Sequence, residues 1–179
     1  MFFVFLFSVK AQATIFDVNE IVITSALNDY LQVAEFTAFS GGFDYASTGN
    51  ATTTYSSLYS SSYPGSAALD GNLGSFFHSA NSSTPDWLSI EFNTVIDIDM
   101  MQIAGRSGYD YGRDIYNIEL FNAAGSSLAL FNGVNAQGEG YVTFYDKITT
   151  QNNPIPEPSI LVLMGLGLIG LFSVNRRKV

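Results

Sequence analysis

From residue 14 to residue 149, apolar and polar residues alternate over short runs separated by clusters of Gly, Asn, Ser and Asp. Alternation with period two sends successive side chains to opposite faces of an extended chain, so it favours sheets and turns over amphipathic helices. The runs 15–24, 30–39, 87–92, 96–104, 115–121, 127–131 and 141–147 read as strands. The Ser/Thr/Tyr-rich stretch 48–62 reads as an irregular strand and surface loop. Seven or eight strands of this kind make an all-β sandwich. In Trp87-Leu88-Ser89-Ile90-Glu91-Phe92, the apolar Leu88, Ile90 and Phe92 share one face while Ser89 and Glu91 point away. That strand is expected to cover a core on one side.

Within 179 residues there is room for one such domain, taken as 14–150, with short accessory segments at each end. Between residues 14 and 153, Arg106, Arg113 and Lys147 face fifteen Asp and Glu residues, a net charge of −12. That balance lacks the basic footprint nucleic acid requires, and leaves neutral ligands, metal cations or basic partners. With no cysteine, a disulfide framework, a thiolate zinc site and a Cys nucleophile are all excluded.

The N-terminal end opens on an apolar run, Met1 to Val9, too short to span a membrane, followed by Ala11-Gln12-Ala13. An apolar stretch closed by a small-x-small site is the pattern of a signal peptide, here 1–13, cut after Ala13. The alternative is a buried N-terminal strand. The positive region that normally precedes the apolar run is missing, which is expected if the true start lies upstream.

At the other end, 151–158 is a proline-rich linker holding Pro156-Glu157-Pro158, since prolines fix φ and remove backbone donors. Segment 159–179 then gives sixteen almost wholly apolar residues, 159–174, closed by Arg176-Arg177-Lys178. As a helix this run rises about 24 Å against a hydrocarbon core of about 30 Å, and the basic terminus orients it with the preceding chain outside. Its Gly165-Leu166-Gly167-Leu168-Ile169-Gly170 matches the dinucleotide-binding GxGxxG pattern, but the chain ends before a following helix and acidic residue can fit. Small residues in a membrane span explain it better.

Pro-Glu-Pro, a short Leu/Gly-rich span and an Arg-rich terminus, in that order over 155–179, resemble the PEP-CTERM signal. The resemblance implies processing by an exosortase-type enzyme, transient anchoring in the inner membrane through a C-terminal hydrophobic helix, and a final place at the cell surface or in the exopolysaccharide matrix of a Gram-negative bacterium. An ordinary tail anchor would not account for Pro156-Glu157-Pro158 abutting the span.

The domain carries a second resemblance. Ala67-Ala68-Leu69-Asp70-Gly71-Asn72, then Phe76-Phe77-His78-Ser79, then Pro85-Asp86-Trp87-Leu88-Ser89-Ile90-Glu91-Phe92, then Ile103-Ala104-Gly105-Arg106 resemble discoidin (coagulation-factor type C) domains of the galactose-binding-like superfamily, best over 56–131. That implies a jelly-roll β-sandwich of about eight strands with ligand loops at one end. The stretch 31–39 looks like the strand that usually closes such domains, displaced to the front.

Candidate sites follow. The layout of His78 followed by Arg106 and Arg113 resembles the fucose-binding motif of F-type lectins, which share this fold, without their paired cysteines or Arg-Gly-Asp order. Forked guanidinium donors suit vicinal hydroxyls, and Tyr109 and Tyr111 can offer a face to a sugar's C–H surface. The bland alternative pairs Arg106 and Arg113 with Asp110 and Asp114 on a solvated loop. By resemblance to calcium-containing members of the superfamily, Asp70 and Glu35 would supply carboxylates to Ca2+, Asn72 and Ser75 further oxygens, and Ala34 and Ala67 carbonyls. The alternative is a plain Asp-Gly-Asn turn. Asp97 and Asp99, two apart on an expected strand, can in principle act as paired acids, but nothing fixes the separation glycoside cleavage needs. Nor does a nucleophile-elbow pattern accompany His78. The expectation is therefore a non-catalytic, exported glycan- or exopolysaccharide-binding protein, the alternative a structural surface or matrix protein without a ligand.

Overall fold

The computed structural model describes residues 14–82, 86–108 and 111–146, all within the unit Met1–Lys147. The strands in chain order are β1 (Ile15–Ser25), β2 (Gln32–Val33), β3 (Glu35–Ser40), β4 (Phe43–Asp44), β5 (Ala51–Tyr55), β6 (Phe77–His78), β7 (Trp87–Ile98), β8 (Met100–Ala104), β9 (Ile115–Phe121), β10 (Ser127–Asn135) and β11 (Val142–Asp146). Eight of these span five residues or more. The expected signal peptide, linker and C-terminal helix lie outside the described residues.

Every named pair is antiparallel. One sheet runs β10-β9-β1-β7-β5, a second runs β11-β8-β3-β4, and β2 and β6 form a separate ribbon. The sandwich arises because each large sheet is apolar on one face. Ile21 and Ile23 of β1, Leu88 and Ile90 of β7, and Ile118 and Leu120 of β9 are buried in one core with Phe36 of β3, Met101 and Ile103 of β8, and Tyr145 of β11. Each such side chain contributes about 1.5–3 kcal/mol when fully removed from water.

Three local features depart from the alternation. The run 30–39 divides at Ala34, whose N–H turns away to the carbonyl of Ala104. A break expected between 92 and 96 does not occur: β7 continues to Ile98 and the chain turns at Asp99. Asp99 suits that turn because its carboxylate accepts the Gly41 N–H at 3.0 Å and the Thr14 hydroxyl at 3.3 Å. Asp97 stays on β7 and accepts the Asp17 N–H at 3.1 Å, so the two carboxylates do not share a strand face and each holds local backbone. Asp17 itself has φ of 61° at the irregular start of β1, a left-handed conformation that Asp tolerates. Finally, Ser89 is buried rather than exposed, because its hydroxyl donates to Glu20 Oε1 at 2.6 Å across the sheet.

Candidate functional site

His78 and Gln32 stand opposite each other in the β2–β6 ribbon. Both are buried, and the register brings Gln32 Nε2 within 2.8 Å of His78 Nε2. On the other side of the ring, His78 Nδ1 lies 2.7 Å from the Ser79 carbonyl, which can only accept. Nδ1 therefore carries the proton and Nε2 accepts from the Gln32 amide. Burial lowers the His78 pKa from its ordinary value and outweighs the Ser79 carbonyl, which favours the protonated ring; Arg106 and Arg113 push it down further. His78 is a neutral ring with both nitrogens engaged.

A third segment lies along this ribbon. Tyr59 N–H donates to the His78 carbonyl at 2.9 Å, and His78 N–H to the Tyr63 carbonyl at 3.3 Å. The base of this segment is tied down by Asp86, which accepts from the Ser56 and Ser57 hydroxyls, each at 2.7 Å, and from Asn81 N–H at 3.1 Å. Burial alone would raise the Asp86 pKa, but those hydrogen bonds outweigh it and hold the carboxyl below its ordinary value. As a result Tyr59 stacks on the His78 ring with centroids 4.6 Å apart, and Tyr30 meets the same ring edge-on at 5.1 Å.

Both arginines come from the connection between β8 and β9. The Arg106 guanidinium sits over the Phe76 ring, 4.4 Å from its centroid, a cation–π geometry. Arg113 ends a short 3-10 turn, Tyr111–Arg113; its Nε lies 3.1 Å from Asp29 Oδ2 and its guanidinium 5.5 Å from the Tyr30 centroid. Asp29, from the segment before β2, is thus a carboxylate partner of Arg113. His78, Arg106 and Arg113 line one cavity of about 330 Å³, whose other walls are Tyr30, Gln32, Tyr59 and Tyr63. That volume lies near the lower end of small-molecule sites, about 300–1,000 Å³.

The residues expected to supply the aromatic face are Tyr109 and Tyr111. Tyr109 lies outside the described residues, and Tyr111 opens the 3-10 turn. Tyr30, Gln32, Tyr59 and Tyr63, which no sequence motif marks, stand in the lining instead. The regular tyrosines of 48–62 carried a partial signal for Tyr59, whereas Gln32 follows from strand register alone.

Of the other candidate set, Glu35 and Asp70 line a second cavity, of about 270 Å³, whereas Asn72, Ser75, Ala34 and Ala67 are not among its lining residues. Glu35 on β3 is buried, and its Oε2 accepts the Gly71 N–H at 2.8 Å, which brings it to the loop carrying Asp70, Asn72 and Ser75. Asp70 accepts the Asn72 N–H at 2.9 Å and the Ser75 hydroxyl at 2.7 Å, and Asn72 Oδ1 accepts the Gly74 N–H at 3.0 Å. These are the bonds of an Asp-Gly-Asn turn. Burial pushes the Glu35 carboxyl up to about 7, opposed by the Gly71 and Asn72 N–H groups and helped by the negative charges of Asp70 and Asp44. Among the described residues, no group of three or more His, Cys, Asp or Glu could hold a metal ion by itself. A hard cation here would also need carbonyl and hydroxyl oxygens, which suits Ca2+ better than a transition metal.

The family model described as the F5/8 type C domain matches residues 50–127, a span that contains Asp70, His78, Arg106 and Arg113 but not Tyr30, Gln32 or Glu35. No curated protein and no solved structure matches the chain. A second family model, the PEP-CTERM protein-sorting motif, matches residues 154–178. The chain thus joins an all-β sandwich with a segment similar to the F5/8 type C (discoidin-like) domain to a bacterial sorting motif that marks export and transit through the membrane.

Proposed function

We propose that this exported protein is a lectin-like module that binds glycan, the exopolysaccharide of its own matrix being the natural candidate, and that it performs no catalysis. The observation that carries this reading is the meeting of His78 on β6 with Arg106 and Arg113 of the β8–β9 connection in one cavity walled by tyrosines. Guanidinium donors beside aromatic faces are the combination that grips a sugar's polar edge and its C–H face together. His78 contributes the face of a fixed neutral ring rather than a free hydrogen bond. Glycan-array binding of the full-length chain tests it: retention on at least one glycan, lost in Arg106→Ala, is the expected result. A chain that binds nothing on the array returns the protein to a structural surface or matrix role.

Calcium is a separate part of the proposal. Glu35, Asp70, Asn72 and Ser75 would hold the ion with carbonyl oxygens of Ala34 and Ala67, and its charge would offset the repulsion between the Glu35 and Asp70 carboxylates. The ion would serve a structural role, fixing the Asp70 loop against β3.

The sorting motif supports a further step. An exosortase-type enzyme would remove the tail after transient inner-membrane anchoring, leaving the domain at the surface or in the matrix of a Gram-negative cell.

A further inference from the structure

The charged residues that line the two cavities are of opposite sign. Glu35, Asp44 and Asp70 line one, with no Lys, Arg or His. Arg106 and Arg113 line the other, and among the described residues no Asp or Glu joins them there. In a domain with fifteen acidic residues and three basic ones, two of those three meet in a single lining.

The hydrogen-bonding character of the second lining is as uneven as its charge. Guanidinium groups donate and never accept. Both nitrogens of His78 are committed, one to Ser79 and one to Gln32. Asp29, which is not part of the lining, is engaged by Arg113. A neutral sugar hydroxyl both donates and accepts, and among the described residues of this lining its proton meets only neutral acceptors, the tyrosine hydroxyls and the Gln32 amide oxygen, rather than a carboxylate. A sugar carboxylate only accepts, and it matches a guanidinium in a two-pronged, charge-assisted pair roughly twice as strong as a neutral hydrogen bond.

We infer that the cavity formed by Arg106, Arg113 and the tyrosines selects a saccharide unit bearing a carboxylate, a hexuronate, over its neutral counterpart. The inference rests on the glycan-binding reading above and narrows it to acidic polysaccharide. Tyr59, 59 % exposed while stacked on His78, offers the ring of that unit a flat apolar surface. The acidic remainder of the domain repels a uronate from other parts of the surface, so the same charge that disfavours polyanions generally sharpens the choice of this one place.

The test is calorimetric titration of the full-length chain in mild detergent with trigalacturonate, its methyl ester and neutral galactotriose. The acid is expected to bind at least about tenfold more tightly than the ester. Arg106→Gln and Arg113→Gln should each erase that margin without moving the melting temperature, whereas Tyr59→Ala should weaken acid and ester alike. Equal affinity for acid and ester overturns the inference while leaving glycan binding intact. Acetate competing as well as trigalacturonate, at equal carboxylate concentration, overturns it too, because the cavity then reads a bare carboxylate. If neither these ligands nor any array glycan binds, the inference and the glycan-binding reading fall together.

Discussion

Gly105 lies so close to Asp114 that a methyl group placed on its Cα would overlap the Asp114 Cγ and Oδ2. The two residues flank the 106–113 loop, so this contact draws the loop's ends together and sets both arginines at one mouth. Asp114 is itself buried, its Oδ1 accepting the Tyr116 hydroxyl at 3.1 Å and its carbonyl the Ala136 N–H at 2.8 Å. It cannot readily yield. Gly105→Ala is expected to cost about 1–3 kcal/mol in urea unfolding, the range of overpacked sites, and to weaken glycan binding by misplacing Arg106. A variant as stable as the native chain would show that the loop is not pinned here.

Arg106→Ala and Arg113→Ala should separate binding from folding. The Arg113–Asp29 pair is partly solvent-exposed and contributes about 0–1 kcal/mol. The Arg106–Phe76 contact is expected to contribute about 0.5–1 kcal/mol. Glycan retention should disappear in each variant while thermal melting stays nearly unchanged. Normal retention in both would remove the arginines from the site.

Glu35 makes the stability of the domain depend on pH in an unusual direction for a carboxyl. Its folded pKa, about 7, lies above the ordinary value of 4.5, so the native state holds the proton longer than the unfolded chain does. Stability from this group is therefore full below about 4.5 and declines as pH rises through about 7, by up to about 3 kcal/mol at 1.36 kcal/mol per unit. Urea unfolding in chelator between pH 4 and 8 measures the slope. Glu35→Gln should flatten it, and identical slopes in the two proteins would exclude Glu35 as the cause.

Calcium should act on the same residue with the opposite sign. Binding favours the ionised carboxyl, so millimolar calcium is expected to raise the melting temperature more at pH 8 than at pH 5. At about 100 times its dissociation constant a ligand of the native state adds about 2.7 kcal/mol. Melting curves that coincide in chelator and in calcium at both pH values would remove the ion from the proposal.

Processing of the tail has its own signature. Intact-mass measurement on the extracellular protein should find no species ending in Val179, and replacing Pro156-Glu157-Pro158 with alanines should leave the protein in the membrane fraction. An extracellular product that still carries Val179 would contradict the processing step.

How far the sequence revealed all this depended on which physical signal placed each residue. The runs 15–24 and 115–121 reproduce β1 and β9 to within a residue, because alternation along Ile21-Val22-Ile23-Thr24 and Tyr116-Asn117-Ile118-Glu119 directly records one buried face. Strands of two residues, β2, β4 and β6, have no period to read. Arg106 and Arg113 stood out because basic residues are scarce in the domain. Tyr59 and Tyr63 reach the cavity through backbone hydrogen bonds to His78, and Arg113 reaches Asp29 across the fold; both are consequences of tertiary placement that local pattern does not encode.

The position of β1 bears on how the chain survives its own export. Ile21 pairs with Ile90 on one side and Leu120 on the other, so the first strand of the domain to emerge is the one that must wait longest for both neighbours. Until β7 and then β9 arrive, its Ile- and Val-rich edges stand open, and pairings so distant along the chain form slowly. Late closure keeps the polypeptide threadable during translocation and, over the same interval, makes β1 the segment that most needs shielding from other newly exported chains.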